Sequence, residues 1–135
     1  MILAGPGQGG DCPMLAPLLA CLSVPRLGPG RPRTRPDALL GDKAYSARAH
    51  RGHLRARGVT TVIPERCDQI GHRQRRGAAG GRPVSFDAGL YKGRNVVERG
   101  FNKIKNWRGL ATRYDKHAVI YRGGVVLASI LLWLE

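Results

Sequence analysis

The sequence predicts an α/β fold, and three observations carry that expectation. Ala38-Leu39-Leu40-Gly41-Asp42 is a short apolar run, while Val59-Thr60-Thr61-Val62-Ile63 is β-branched throughout and stops at Pro64. Between them residues 46–57 read as a basic helix, and strand, helix, strand with short connections predicts a parallel pair. Finally, 42% of the 135 residues are apolar, which suits one packed domain rather than a disordered chain.

Taken in order, Met1-Ile2-Leu3-Ala4 reads as a strand, broken at once by Gly5-Pro6-Gly7. Asp11 then stands where it would cap a short helix carrying Met14, Leu15, Leu18 and Leu19 on one side, with Pro13 in the first turn. From Pro25 to Pro36, Pro, Gly and Arg recur too often for a helix or a central strand, so a basic extended loop is expected over about 25–37. The apolar run at Ala38 reads as a buried strand ending in Asp42; Ser46 is the expected N-cap of the basic helix and Gly58 its stop. Residues 65–84 are rich in Arg and Gly and nearly empty of apolar side chains, which predicts a second, mobile loop. A long helix is expected from Gly89 to Trp107 and a last one from Lys116 to Leu134, with Gly123-Gly124 a point of bending. One domain, residues 1–135, is the expected organisation.

Lys and Arg number 23 against 9 Asp and Glu, a formal charge of +14. Such a chain is suited to nucleic acid or an anionic membrane surface, unless its arginines are merely solvated surface. A membrane is not the expected partner. The uncharged stretch Cys12–Pro25 has only Asp11 ahead of it and lacks the basic leader of a signal peptide. The apolar C-terminal run, Gly123 to Leu134, is too short to span a bilayer and reads as a buried helix. Cys12, Cys21 and Cys67 make no even-numbered disulfide framework. Cys12 and Cys21 with His50 and His53 are spaced unlike structural zinc sites, so reduced thiols in a cytoplasmic protein are expected.

Two places carry chemistry. On a helix turning about 100° per residue, Arg94, Glu98 and Lys105 fall at about −60°, −20° and −40° from Tyr91, one narrow polar stripe. Val97, Phe101 and Ile104 form an adjacent apolar edge. The stripe is either a carboxylate held among a phenol and two cations or an ordinary helix surface with Arg94–Glu98 support. The second place is Asp42 at the carboxyl end of a strand, where α/β sheets gather ligands and where a carboxylate suits a hard metal ion. The competing reading is that Asp42 simply opens the turn into the following helix.

Leu40-Gly41-Asp42-Lys43-Ala44-Tyr45-Ser46 and Tyr91-x2-Arg94-x3-Glu98-x6-Lys105 resemble the second-Asp and Glu regions of bacterial insertion-sequence DDE transposases of the Tyr-Arg-Glu-Lys type. Pro6-Gly7-Gln8-Gly9-Gly10-Asp11, Val62-Ile63-Pro64-Glu65-Arg66, Trp107-Arg108-Gly109 and Thr112-Arg113-Tyr114-Asp115-Lys116 are also similar to members of that family. The resemblance implies a truncated RNase H-like fold, an incomplete mixed sheet flanked by helices, that works on DNA with two Mg²⁺ or Mn²⁺ ions. It implies Asp42 and Glu98 as catalytic, metal-holding carboxylates. Tyr91, Arg94 and Lys105 are implied as DNA contacts, and the basic loop adds Arg73, Arg75 and Arg76. The family's first catalytic Asp lies on a strand before the Pro-Gly-Gln turn, where only Met1 to Gly5 stand here, and Asp11 matches the helix-capping acid after that turn. The implication is a C-terminal portion of the catalytic domain, inactive alone, that pairs as a homodimer or with an N-terminal transposase portion. Two other readings remain: a non-catalytic binder whose Arg loops grip phosphates, and a fragment that regulates transposase by pairing with it.

Overall fold

β1 (Ala38–Leu40) and β2 (Thr60–Val62) pair in parallel, with Ala38 opposite Thr60, Leu39 opposite Thr61 and Leu40 opposite Val62. The computed structural model that shows this describes residues 2–5 and 9–134. The chain forms two compact units, Leu19–Arg94 and Met1–Leu18 with Asn95–Glu135.

In the first of these, the ladder is extended by Thr60 N–H donating to Asp37 O at 2.9 Å and Gly41 N–H to Val62 O at 3.2 Å. The connecting helix, α2 (Arg48–Ala56), packs on β2. Its inward positions are His50, Arg51 and Leu54, and of these Leu54 alone is an apolar side chain, 0% exposed. Leu54, Val59, Val62 and Ile63 are the buried core of this segment. Gly58 ends the helix with φ +64°, a conformation natural to glycine, as its expected role as a stop requires.

Several expectations need correction here. β1 is half-buried rather than buried, because β2 is its sole neighbour in a two-stranded sheet among the described residues. Ser46 does not cap α2: it is buried at the end of a 3-10 turn, Lys43–Tyr45, and α2 begins after Ala47 with no side-chain cap. Asp42 caps that 3-10 turn instead.

The segment 65–84 is not an unstructured loop. It contains α3 (Cys67–Arg75) and a 3-10 helix, Gly77–Gly80. No apolar face is needed, because charge and end-bonding suffice. Gln69 Oε1 accepts from Arg66 N–H at 3.4 Å, Asp68 lies in the first turn, and His72, Arg73 and Arg75 lie in the last, in the order the helix dipole favours. Arg73 also pairs with Glu65. The basic stretch 25–37, by contrast, has no helix or strand, and an isolated antiparallel bridge between Val24 and Arg33 closes it into a loop.

The single helix expected from Gly89 to Trp107 is two. α4 (Ala88–Lys92) starts from Asp87, whose Oδ1 accepts from Leu90 N–H at 2.9 Å, and ends at Gly93-Arg94. There Gly93 N–H and Arg94 N–H bond three residues back, to Leu90 O and Tyr91 O, which tightens the turn. α5 (Asn95–Lys105) begins at the next residue. Glycine is a weak helix former, and the break falls on it.

In the other unit, Ile2–Gly5 forms no strand, and Met1 and the Pro6-Gly7-Gln8 turn lie outside the described residues. A 3-10 turn, Cys12–Met14, leads into α1 (Leu15–Ala20). Asp11 holds the capping position without a side-chain bond. Leu15 and Leu19, four apart, are buried, whereas Leu18 is exposed. α5 packs with α6 (Arg108–Ala111) and α7 (Ala118–Leu134). α7 runs unbroken through Gly123-Gly124, which the sequence marked for bending. A Cβ on Gly124 would lie 2.9 Å from Leu110 Cδ2, so the missing side chain lets α6 approach α7 closely. The expectation of a buried C-terminal helix fails: Ala128 is its one buried residue among those described, while Leu127 is 65% and Trp133 92% exposed. No helix is long and apolar enough to cross a membrane among the described residues.

Candidate functional site

Asp42 is positioned by the end of β1. The chain leaves the ladder at Gly41, where an added Cβ would lie 3.3 Å from Ile63 Cγ1. Asp42 then turns outward in extended conformation, exposed, with Oδ1 accepting from Ala44 N–H at 3.0 Å. It therefore does open the following turn, as the simpler reading had it, and it does so from the carboxyl end of a parallel strand.

The backbone around it is braced by Arg51 from α2. This guanidinium donates through Nη2 to Ile63 O at 2.9 Å and to Pro64 O at 3.4 Å, and through Nε to Ser46 O at 3.3 Å. One side chain thus ties the end of β2 to the turn that follows Asp42. Burial lowers its pKa from the ordinary arginine value, and the nearby Glu65 carboxylate opposes that shift. Glu65, three residues beyond β2, pairs with Arg73 of α3, and both side chains are mostly buried. On α2, next to Arg51 in sequence, His50 Nδ1 is buried with no hydrogen-bond partner among the described residues, and its ring lies 6.1 Å from that of Tyr45.

The end of α4 reaches the same strand. A Cβ on Gly93 would lie 3.8 Å from Leu40 Cδ2, two residues before Asp42. Flanking Gly93, the Arg94 guanidinium lies over the Tyr91 ring at 5.3 Å from its centroid, and the Phe86 ring packs against that same ring at 5.2 Å between centroids. Tyr91 and Arg94 are therefore brought together as the sequence expected, although by a turn rather than a continuous helix.

Glu98 and Lys105 stand on α5, in the other unit. Seven residues apart, they share one face, with Glu98 in the first turn and Lys105 in the last, each where the helix dipole stabilises its charge. Tyr91, on α4, and Arg94, in the turn after it, thus lie outside the helix that carries Glu98 and Lys105. Of the basic residues beyond the motif, Arg73 is engaged with Glu65, Arg75 Nη2 lies 2.8 Å from His72 Nδ1, and Arg76 is exposed at the C-cap of α3.

Among the described residues no group of three or more His, Cys, Asp or Glu is placed to hold a metal ion. Asp42 and Glu98 suit a hard cation chemically, but they do not make up a complete two-ion site. Arg51 and Asp87 went unnoticed in the sequence, and Glu65 figured there only within the segment Val62–Arg66 that resembles the family. Asp87 three residues before Leu90 is a legible capping signal, whereas a buried arginine inside a basic helix has none.

Comparison with known proteins places the chain in a family. The family model described as Transposase DDE domain matches residues 1–133. A protein of Brucella ovis named as a transposase for insertion sequence element IS6501 is 33% identical over 130 residues, covering 96% of this chain and 84% of that relative. One from Burkholderia cepacia, named as a transposase for insertion sequence element IS402, is 30% identical over 122 residues, 90% of this chain and 50% of its own length. No solved structure matches the chain significantly. The matched span takes in both Asp42 and the Tyr91–Lys105 segment, so the chain belongs to the transposase DDE domain family of insertion sequences.

Proposed function

We propose that this chain is the part of a Tyr-Arg-Glu-Lys-type transposase that carries its second Asp and its Glu, and that it acts in the cytoplasm on DNA at the ends of the element, in cleavage and strand joining. The observation that carries the reading is Asp42: an exposed carboxylate at the carboxyl end of a parallel strand, with the Tyr91–Arg94 pair beside that strand. Asp42 and Glu98 are the metal-holding carboxylates, for Mg²⁺ or Mn²⁺. Bound there, such ions would supply positive charge to offset the charge that develops on the phosphodiester oxygens. The protein's own contribution is positioning: Arg51 fixes the turn that presents Asp42, and Tyr91, Arg94 and Lys105 take DNA phosphates, the cations as charge-assisted donors. Arg73, Arg75 and Arg76 add to that contact. A homodimer or an N-terminal transposase portion supplies the rest of the fold, and by this reading the chain alone binds without cutting.

Asp42→Asn and Glu98→Gln test the assignment, because Asn keeps the acceptor that Ala44 N–H uses and removes only the charge. With a complementing polypeptide that carries a strand-borne Asp, the wild type should nick DNA bearing the element's ends in Mg²⁺. Each variant should lower the nicking rate by at least about 100-fold, the scale seen when one electrostatic catalytic group is lost. Equal cutting by Glu98→Gln would remove the catalytic reading. The basic binder without catalysis is then favoured, on the strength of exposed Arg26, Arg31, Arg33 and Arg35 in one loop.

A further inference from the structure

We propose a second DNA-backbone contact surface, built by Arg26, Arg31, Arg33, Arg35 and Arg57 at the amino-terminal end of the parallel pair, away from the end that carries Asp42. It deepens the DNA reading above and rests on it.

Thr34 and Arg35 lie just before β1, and Arg57 and Gly58 just before β2, so both segments meet where the strands begin. They are cross-clasped. Arg57 Nη2 donates to Thr34 O at 3.0 Å, and Arg35 Nη1 donates to Arg57 O at 3.4 Å. Arg33 Nε donates to Arg35 O at 2.9 Å and its other end pairs with Asp37. Gly58 makes room for this: a Cβ there would lie 3.0 Å from Arg35 Nη1. The bridge between Val24 and Arg33 closes residues 25–32 into a loop, and Arg26 and Arg31 on that loop are exposed, without hydrogen bond or ion pair among the described residues.

Five guanidiniums are thus held on one short loop and one helix end against a single carboxylate, Asp37, which Arg33 already engages. Like charges gathered this way repel one another and are relieved by an anion. Apart from the Arg33–Asp37 pair, the bonds already made go to backbone carbonyls, which do not neutralise charge, and each guanidinium has five N–H donors to share. A row of phosphates matches that arrangement: spaced charge, with forked donors suited to phosphate oxygens. No aromatic side chain stands in residues 22–37 to stack on an unpaired base, so the fit is to the backbone of a duplex rather than to single strands.

The test measures binding of the 135-residue protein to a short fluorescent duplex across a salt series. Arg26→Ala/Arg31→Ala removes two charges that hold nothing in the fold, and Arg35→Ala/Arg57→Ala removes the clasp. Either double variant should weaken binding about tenfold at moderate salt and reduce the slope of log affinity against log salt by about 2, one unit per lost phosphate contact. Arg35→Lys/Arg57→Lys should keep most of that slope, which separates lost charge from a disordered loop. Wild-type binding that both double variants leave unchanged, while Arg73→Ala/Arg75→Ala/Arg76→Ala abolishes it, would overturn this surface and leave the DNA reading intact. Failure of the wild type to bind any duplex would overturn both, as would Arg26/Arg31-dependent binding to anionic vesicles in place of DNA.

Discussion

The segment 38–63 and the segment 95–134 bury their apolar side chains to very different degrees. In the first, one leucine of α2 and three residues of β2 and its flanks are buried almost completely, although the helix between the strands is otherwise basic. In the second, α7 is much richer in apolar residues, yet Leu127, Ile130 and Trp133 on it, and Val97 and Phe101 on α5, are each more than half exposed. Apolar content therefore does not decide burial. Parallel pairing fixes two strands and their connecting helix so that each covers the others. In the second segment α6 is a single turn, and most of α7 stays exposed.

Four substitutions would break or sharpen that contrast. Leu54→Ala should cost about 2–5 kcal/mol, since the side chain is fully buried and leaves a cavity between α2 and β2; loss of the cooperative thermal transition would register it. Gly58→Ala follows at about 1–2 kcal/mol, from the left-handed backbone and the 3.0 Å approach of Arg35, read as a lower denaturant midpoint. Asp87→Ala removes the cap of α4 and should cost about 1 kcal/mol, with the Tyr91–Arg94 turn fraying first in hydrogen exchange. Trp133→Ala should change monomer stability by less than about 0.5 kcal/mol, because the indole is 92% exposed. A large loss from Trp133→Ala would mean that α7 is covered in solution, and the contrast between the segments would disappear.

The same two segments separate what was legible in the residues from what was not. β-branched Val59–Ile63 and the apolar Ala38 run announced a parallel pair, because strand periodicity and breakers are local signals. The helix at Cys67–Arg75 escaped notice because its support is a side-chain acceptor at the third position, charges in dipole order and one ion pair with Glu65, none of which leaves an apolar pattern. The break at Gly93-Arg94 was visible only as a glycine in an otherwise helical run. At the candidate site, Asp42 and the Tyr91–Arg94 spacing could be read from the chain, whereas Arg51, which ties Ser46 to Ile63, could not.

By itself, the sequence determined the chemical identities: a strongly basic chain, two motif carboxylates, the strand–helix–strand unit of residues 38–63, and the family these imply. Only the tertiary structure decided which arginines serve the fold and which face outward. It put Arg51 and Arg73 into bonds and ion pairs, stapled Arg35 and Arg57 across the start of the sheet, and left Arg26 and Arg31 in the open. The reason is that charge is a property of a residue, whereas its use depends on which carbonyls and carboxylates folding brings within about 3 Å of it.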